Sequence, residues 1–336
     1  MGAFVWLANT KTMRRRSLLR SLSFLAGLSL STTPTHAQQG DPLTLVTDWF
    51  AQAEHGGFYY AQLAGLYEQA GLDVRIRMGG PNVNATQLLI AGTADLILSA
   101  SAQTIRAVAA GIPVVTIAAI FQKTPLILMA HPHVERLEDL RDPPVFLSQA
   151  GRLGFFPYLQ RRLGWREEQI RPYNFQLGPF LADPNAVQQG ILTSEPFSVR
   201  QQAGFEPRVF LLADLGYNPY VSTIVTRRET LERKPEVLRR FLQATAAGWQ
   251  TFLRDPEPTF ARIQQENPEM SLELLRYGVE MLRQYELVTG GDAQRLGIGA
   301  MTAARWQDFF RRMSAVGIFD PRTDVEQAYT LAFFPQ

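Results

Sequence analysis

The stretch DWFAQAEHGGFYYAQLAGLYEQAGLDV, residues 48 to 74, decides how this chain is read. It opens on a turn carrying Asp48, Trp49, Phe50 and His55 and passes through Gly56 and Gly57. It then settles into a helical periodicity in which Tyr59, Leu63, Leu66 and Tyr67 fall on one face and Gly71 marks the stop. LTLVTDWF just ahead reads as a buried strand, and LDVRIRMG just behind alternates as a second. Strand, helix, strand is a first βα unit, and the loop after such a strand is where open α/β sheets hold ligands.

The same rhythm continues outward. NVNATQLLIAGTA reads as a helix, DLILSA as a strand, SAQTIRAVAAG as a helix and IPVVTIAAIF as a strand, an alternation that predicts parallel pairing. After PLILMAHP a second set follows: EDLRDPPVFLSQAGRLGFFPYLQRRLG, then IRPYNFQ, DPNAVQQGILTSEPFSVRQQAG and RVFLLADLG as a repeat of the βαβ theme. From Arg227 onward the pattern is almost wholly helical. Two βα sets imply two lobes, with the helical tail returning to the first.

Composition agrees with a folded chain of this size. The 336 residues are 46% hydrophobic and 19% charged, with glycine and proline spread rather than blocked. There is no cysteine, which excludes disulfides, thiolate nucleophiles, cysteine metal sites and a lipid-anchored cysteine. His131 and His133 stand two residues apart in AHPHVE without further ligands, so they read as loop and no metal site is expected.

Residues 13 to 37, MRRRSLLRSLSFLAGLSLSTTPTHA, have the basic, apolar and polar zones of an export signal, with cleavage expected before Gln38. The apolar zone is short for a permanent span. Arg15 and Arg16 resemble a twin-arginine signal, although Arg14 precedes them and the Sec route stays open, as does a start at Met13. Lys11, Arg14, Arg15, Arg16 and Arg20 all lie in residues 1–37, leaving 28 basic against 31 acidic residues, about −3. Nucleic-acid binding thereby loses its electrostatic footprint.

The candidate site lies in the loops after strands. Trp49 offers a flat face for a planar ring and Asp48 and His55 can bond its edges, although Trp49 could equally plug the lobe. Gly56 and Gly57 open a helix N-terminus. Ser148 reads as a helix cap with Gly151 allowing close approach. Glu195 follows AVQQGIL at a strand end, and Asp214, Tyr217 and Tyr220 stand where the chain crosses back between lobes. No catalytic serine elbow, phosphate loop or HExxH motif is present.

DWFAQAEHGGFYYAQLAGLYEQAGLDVRI, LLIAGTADLILSA, DPNAVQQGILTSEPF, VFLLADLGYNPYVSTIV and KPEVLRRFLQATAAGW together resemble the periplasmic solute-binding proteins of ABC importers. More narrowly they resemble the branch related to thiamine-pyrimidine synthases and precursor-binding proteins, with sulfonate, nitrate and taurine binders as sisters. The resemblance implies an α/β, type II-like two-lobe fold with the helical C-terminal region packing on lobe one. The implied domains are an export signal over 1–37, lobe one over 43–130, lobe two over 131–213 and a return completing lobe one over 214–336. It implies a soluble periplasmic monomer that takes no cofactor, captures a planar heterocycle by closing, and docks on a permease with its ATPase. The ligand-binding residues expected are Asp48, Trp49, His55, Gly57, Ser99, Ser148, Gly151, Glu195 and Tyr217. An anion-binding sister would instead use helix N-termini and an arginine, here Arg152. The enzyme of the superfamily uses a lysine and a histidine whose positions are Ser99 and Gln103 here, so no Schiff base can form and no catalysis is expected.

Overall fold

Residues 40–334 are described by a computed structural model. The export signal expected over 1–37 lies outside the described residues. The first half winds as β1 (Asp41–Val46), α1 (Gly56–Leu63), α2 (Leu66–Gln69), β2 (Leu72–Arg77), α3 (Ala85–Ile90), β3 (Leu96–Ala100), α4 (Ser101–Ala109) and β4 (Val114–Phe121). It is followed by β5 (Leu126–Ala130), β6 (Val145–Leu147), α5 (Gln149–Gly154), α6 (Phe156–Leu163), β7 (Ile170–Pro172), α7 (Gly178–Ala182), β8 (Val187–Ile191), α8 (Glu195–Ala203) and β9 (Arg208–Leu211). The return is β10 (Val221–Arg227), α9 (Arg228–Arg233), α10 (Pro235–Arg254), α11 (Glu257–Glu266), α12 (Leu272–Gln284), α13 (Ala293–Leu296) and α14 (Ala303–Ala315).

These strands make two five-stranded sheets of matching order, β2-β1-β3-β10-β4 and β7-β6-β8-β5-β9. Within each, the first three strands are parallel, and one strand inserted before the last runs antiparallel. That inserted strand is the one arriving from the other lobe. The parallel strands run toward the cleft, so a segment entering from the cleft must run away from it. The purely parallel sheets expected from the βα rhythm are therefore corrected to mixed ones.

Two further readings change. β5 stands in the second sheet, so the chain leaves lobe one at residues 122–125, ahead of the boundary expected after Ala130. The segment DPNAVQQGILTSEPFSVRQQAG divides into β8 and α8, with Glu195 at the strand end where it was expected, and VSTIVTR forms β10.

Lobe one is held by helices on both sheet faces, which is why every residue of β4 is buried. Although β4 is an edge strand, its free backbone is covered by the tail: Ala119 N–H donates to the Gly299 carbonyl and Thr330 N–H to the Thr116 carbonyl, both at 2.9 Å. α10 lies across α1, with the Trp249 ring edge-on to Phe58, Phe121 and Phe252. The tail thus packs on lobe one as expected, and α12 and α14 also reach lobe two. Trp306, Phe309 and Met313 of α14 share one core with Phe155, Phe156 and Leu159 of lobe two and with Ala102 and Ile105 of lobe one.

The α1–α10 crossing is close enough to require glycine. A Cβ on Gly248 would lie 2.5 Å from the Gly57 carbonyl oxygen and 2.6 Å from the Ala61 Cβ, and backbone cannot step aside. Gly248→Val is expected to destabilise the protein by about 2–3 kcal/mol through overpacking, read as a lowered midpoint in denaturant titration with unchanged slope.

Candidate functional site

Two sheets whose parallel strands end facing one another bring their loops into one cleft of about 790 Å³. From lobe one, the loop after β1 contributes Asp48, Trp49, Gln52, Glu54 and His55, the loop after β2 Gly80 and Pro81, and the ends of β4 and β10 Phe121, Val221 and Ser222. From lobe two come Ser148 to Ala150 and Leu153 at α5, Tyr173 to Phe175 after β7, and Gln189 to Ile191, Ser194 and Glu195 around the start of α8.

The mouth of the cleft is aromatic. Trp49 meets Phe175 across the lobes with ring centroids 4.8 Å apart, and Phe50 and Tyr173 extend this contact at 5.6 Å and 5.2 Å. Phe175 has φ of +61°, a conformation costly for a residue with a side chain, and is 45% exposed. The strained residue is thus one that lines the cleft rather than one packed in a core.

The floor is acidic. His55 is fully buried, its Nε2 lies 3.0 Å from Asp48 Oδ1, and its Nδ1 has no partner among the described residues. Glu54 lies one residue earlier, 7% exposed, and accepts a short hydrogen bond from the Thr193 hydroxyl of lobe two. Glu195 accepts from the Ile191 N–H at 2.8 Å, from the Tyr173 hydroxyl at 3.1 Å and from the Ser194 hydroxyl. No Lys or Arg lines the cleft among the described residues. Burial pushes the Glu54 carboxyl above its ordinary value of 4.5; Thr193 and His55 oppose the rise, and the negative charge of Glu195 adds to it. Burial, and then Glu195, likewise push the Tyr173 hydroxyl upward.

The residues expected from the sequence divide between cleft and core. Asp48, Trp49, His55, Ser148 and Glu195 line the cleft. Gly151 stands just behind, donating its N–H to Ser148 Oγ at 3.1 Å, while Ser148 itself bonds Gln189 Oε1 at 3.0 Å. Three do not reach the cleft. Gly57 faces the Trp249 ring, where a Cβ would come within 2.2 Å, so it serves helix packing. Ser99 pairs with Thr223 inside the first sheet. Tyr217 is buried among Phe155, Tyr158 and Phe309, and its hydroxyl is pushed up to about 12 by burial. Asp214 stands at the return crossing, 2.9 Å from Lys123 Nζ. Arg152 turns outward onto Glu167.

Glu54, Tyr173, Phe175 and Gln189 escaped the sequence reading. Glu54 was visible as a carboxylate one residue before His55 in a stretch otherwise of small residues and glutamines. Tyr173 to Phe175 follow a recognised strand, and the rule applied to the other strand ends would have found them.

Two segments join the lobes. Thr124 N–H donates to Asn218 Oδ1 at 3.0 Å, tying one crossing to the other, and Gln122 is gripped by the Ala119 and Ala300 carbonyls and the Arg305 guanidinium. No helix among the described residues is long and apolar enough to cross a membrane.

Comparison with known proteins gives concordant results. The family model described as "NMT1/THI5 like" matches residues 52–259. The chain is 25% identical to the riboflavin-binding protein RibY of Chloroflexus aurantiacus, over 87% of this chain and 86% of that protein. It is 24% identical to a formylaminopyrimidine-binding protein of Halalkalibacterium halodurans, over 79% and 82%. It is 23% identical to a 4-amino-5-hydroxymethyl-2-methylpyrimidine phosphate synthase of Legionella pneumophila, over 87% and 92%. Among solved structures, the periplasmic aliphatic sulphonate binding protein SsuA of Escherichia coli superposes with a TM-score of 0.61 at 13% identity, covering 85% of this chain and 91% of that one. The fold is that of the periplasmic binding proteins.

The buried Glu54 makes stability depend on pH with a definite sign. Below about 4.5 the carboxyl is protonated both folded and unfolded. As pH rises past 4.5 the unfolded chain ionises first, so stability is lost until Glu54 ionises in the folded protein. Thermal unfolding of Glu54→Gln, which keeps an acceptor for Thr193, should show the variant gaining on the wild type from pH 4.5 upward and the gap closing below it.

Proposed function

The chain belongs to the NMT1/THI5-like family, and from that premise we propose that it is the solute-binding component of an ABC importer that captures a small planar heterocycle, such as a thiamine pyrimidine precursor, between two closing lobes. One observation carries this reading: an aromatic mouth, Trp49 against Phe175, stands over a floor of Asp48, Glu54, His55 and Glu195 without a lysine or arginine. A flat ring satisfies the mouth by stacking, and the floor calls for ring N–H and amino donors. Glu195, held by three donors of its own lobe, is oriented to accept from the polar edge of that ring.

Capture follows from the division of the cleft. Lobe one supplies Trp49, His55 and Glu54, and lobe two supplies Phe175, Ser148 and Glu195. A ligand touching one set in the open form gains the other only on closure, so its differential affinity drives closing about the Gln122–Pro125 and Leu212–Tyr220 segments. The closed face would then be what a permease and its ATPase recognise, the protein acting as an exported monomer in the periplasm.

A sulfonate, taurine or nitrate ligand is the second reading, favoured by the fold neighbours alone. It finds no cation in the cleft, since Arg152 is paired with Glu167 outside it. A synthase-like reaction is supported less: Ser99 and Gln103 occupy the positions of the lysine and histidine, and Ser99 lies within the sheet.

Thermal shift of the chain from Gln38 onward, against aminopyrimidines, flavins, taurine, alkylsulfonates and nitrate, tests the proposal. A planar heterocycle at 100 times its Kd should add about 2.7 kcal/mol of apparent stability. Trp49→Ala and Glu195→Gln should each weaken that ligand at least about tenfold, roughly 1.4 kcal/mol. A shift given only by anions and indifferent to Trp49 would transfer the protein to the anion-binding reading.

A further inference from the structure

Two acidic side chains line this cleft from opposite lobes. Glu54 belongs to lobe one, and its bond from the Thr193 hydroxyl carries it against lobe two. Glu195, two residues beyond Thr193, lines the same cleft, and its negative charge adds to the rise that burial gives the Glu54 carboxyl. A carboxylate buried beside a like charge without a cation is strongly unfavourable.

The surroundings supply no such cation. On its own turn Glu54 faces His55, whose Nε2 is engaged by Asp48. The adjoining α1 carries only Tyr59 and Tyr60 as titratable groups. α12 packs on the same turn, with Gly278 so close that a Cβ would lie 2.7 Å from the Ala53 Cβ and 3.3 Å from the Thr193 carbonyl. Its charged side chains are directed elsewhere where partners are seen: Arg276 to Glu257 at 2.9 Å, Arg283 to the Leu253 carbonyl at 2.6 Å, and Tyr277 against Phe197 and Arg200. Glu273 and Glu280, also on α12, are acids and would add to the negative field.

We propose that Glu54 and Glu195, which line the cleft from opposite lobes with no Lys or Arg beside them among the described residues, form a subsite for one positively charged, N–H-rich group of the ligand, an amidinium or a protonated amine. The inference rests on the cleft being the ligand site and adds the charge of the group bound there. Two carboxyls presented from opposite lobes match a planar amidinium, which offers donors along two edges. A neutral amide would leave Glu54 protonated, and an anion would meet repulsion from both walls.

The proton balance follows. In the ligand-free closed protein the Glu54 carboxyl is raised by burial; a bound cation favours its ionised form. Binding therefore releases a proton in the pH window between the two titrations, and affinity rises with pH across that window.

The test uses the full chain with benzamidine as the probe, and with benzamide and benzenesulfonate as its neutral and anionic counterparts. Glutamate labelled at the side-chain carboxyl with ¹³C reports the titration, and Glu54→Gln assigns the resonance. The expected result is a Glu54 signal titrating above the ordinary carboxyl range alone and moving down when benzamidine saturates. Benzamidine affinity should rise about tenfold with each unit of rising pH through the window. Glu54→Gln should bind at least about tenfold more weakly with a flat pH profile. Thr193→Val, which removes only the bond between lobes, should keep the pH dependence and guards against a folding artefact. Benzamide binding as well as benzamidine, a pH-independent affinity, or no benzamidine binding overturns the proposal. Should a planar heterocycle still bind through Trp49 while Glu54→Gln changes nothing, the cation subsite falls and the importer reading stands. Loss of all ring binding removes both.

Discussion

The chain passes between its two sheets twice, and that constraint orders the rest of the molecule. Each passage begins and ends at the cleft, so the strand that follows it must run away from the cleft among strands that run toward it. β5 and β10 are those strands, and each takes the same place in its sheet, next to the last. The result is two sheets of one plan whose loops converge. The convergence makes one site from segments as far apart as Asp48 and Ser222. It also makes the passages a hinge, because only two short segments join the lobes through the backbone.

The tail decides how freely that hinge can move. α10 and α11 complete lobe one, but α12 touches the Ala53 turn of one lobe and Thr193 of the other. α14 adds a shared apolar core with α4 and α6. Arg305 grips Gln122 at the first crossing, and Tyr220 at the second bonds Asp292. Motion of the lobes must therefore pivot on packed helices, which suits small rotations that slide side chains past one another rather than wide separation. The cleft lining is correspondingly divided: an aromatic mouth of Trp49 and Phe175, and the buried Glu54 carboxyl where Thr193 meets it.

The chemistry of the site lies in what is missing from it as much as in what is present. A periplasmic binding protein fold supports many ligands, and structural likeness to a sulfonate binder at 13% identity speaks only to that fold. The lining itself discriminates. With Arg152 turned to Glu167 and no Lys or Arg lining the cleft among the described residues, the carboxyls of Asp48, Glu54 and Glu195 set the charge of that lining.

Much of this was legible in the chain read alone. The βα rhythm, the turn at residues 48–55, the two-lobe plan and the contribution of Asp48, Trp49, His55, Ser148 and Glu195 to the cleft all follow from periodicity and strand-end loops, which are local properties. What was misread was non-local. Tyr217 was expected to face ligand because it sits at the crossing, yet the α6–α14 packing draws it inward. Gly57 was expected to open toward ligand, yet Trp249, nearly two hundred positions away, fills the space beside it. β10 was overlooked because its identity as a strand depends on β3 and β4 receiving it. Glu54 reads in the sequence as one more acid, and only the fold buries it and sets the Thr193 hydroxyl of the other lobe against it. Sequence by itself determined the strands of the first βα set, which loops are polar and aromatic, and that two such sets exist. Tertiary structure alone decided direction, burial and charge balance, because each depends on which surface another part of the chain covers.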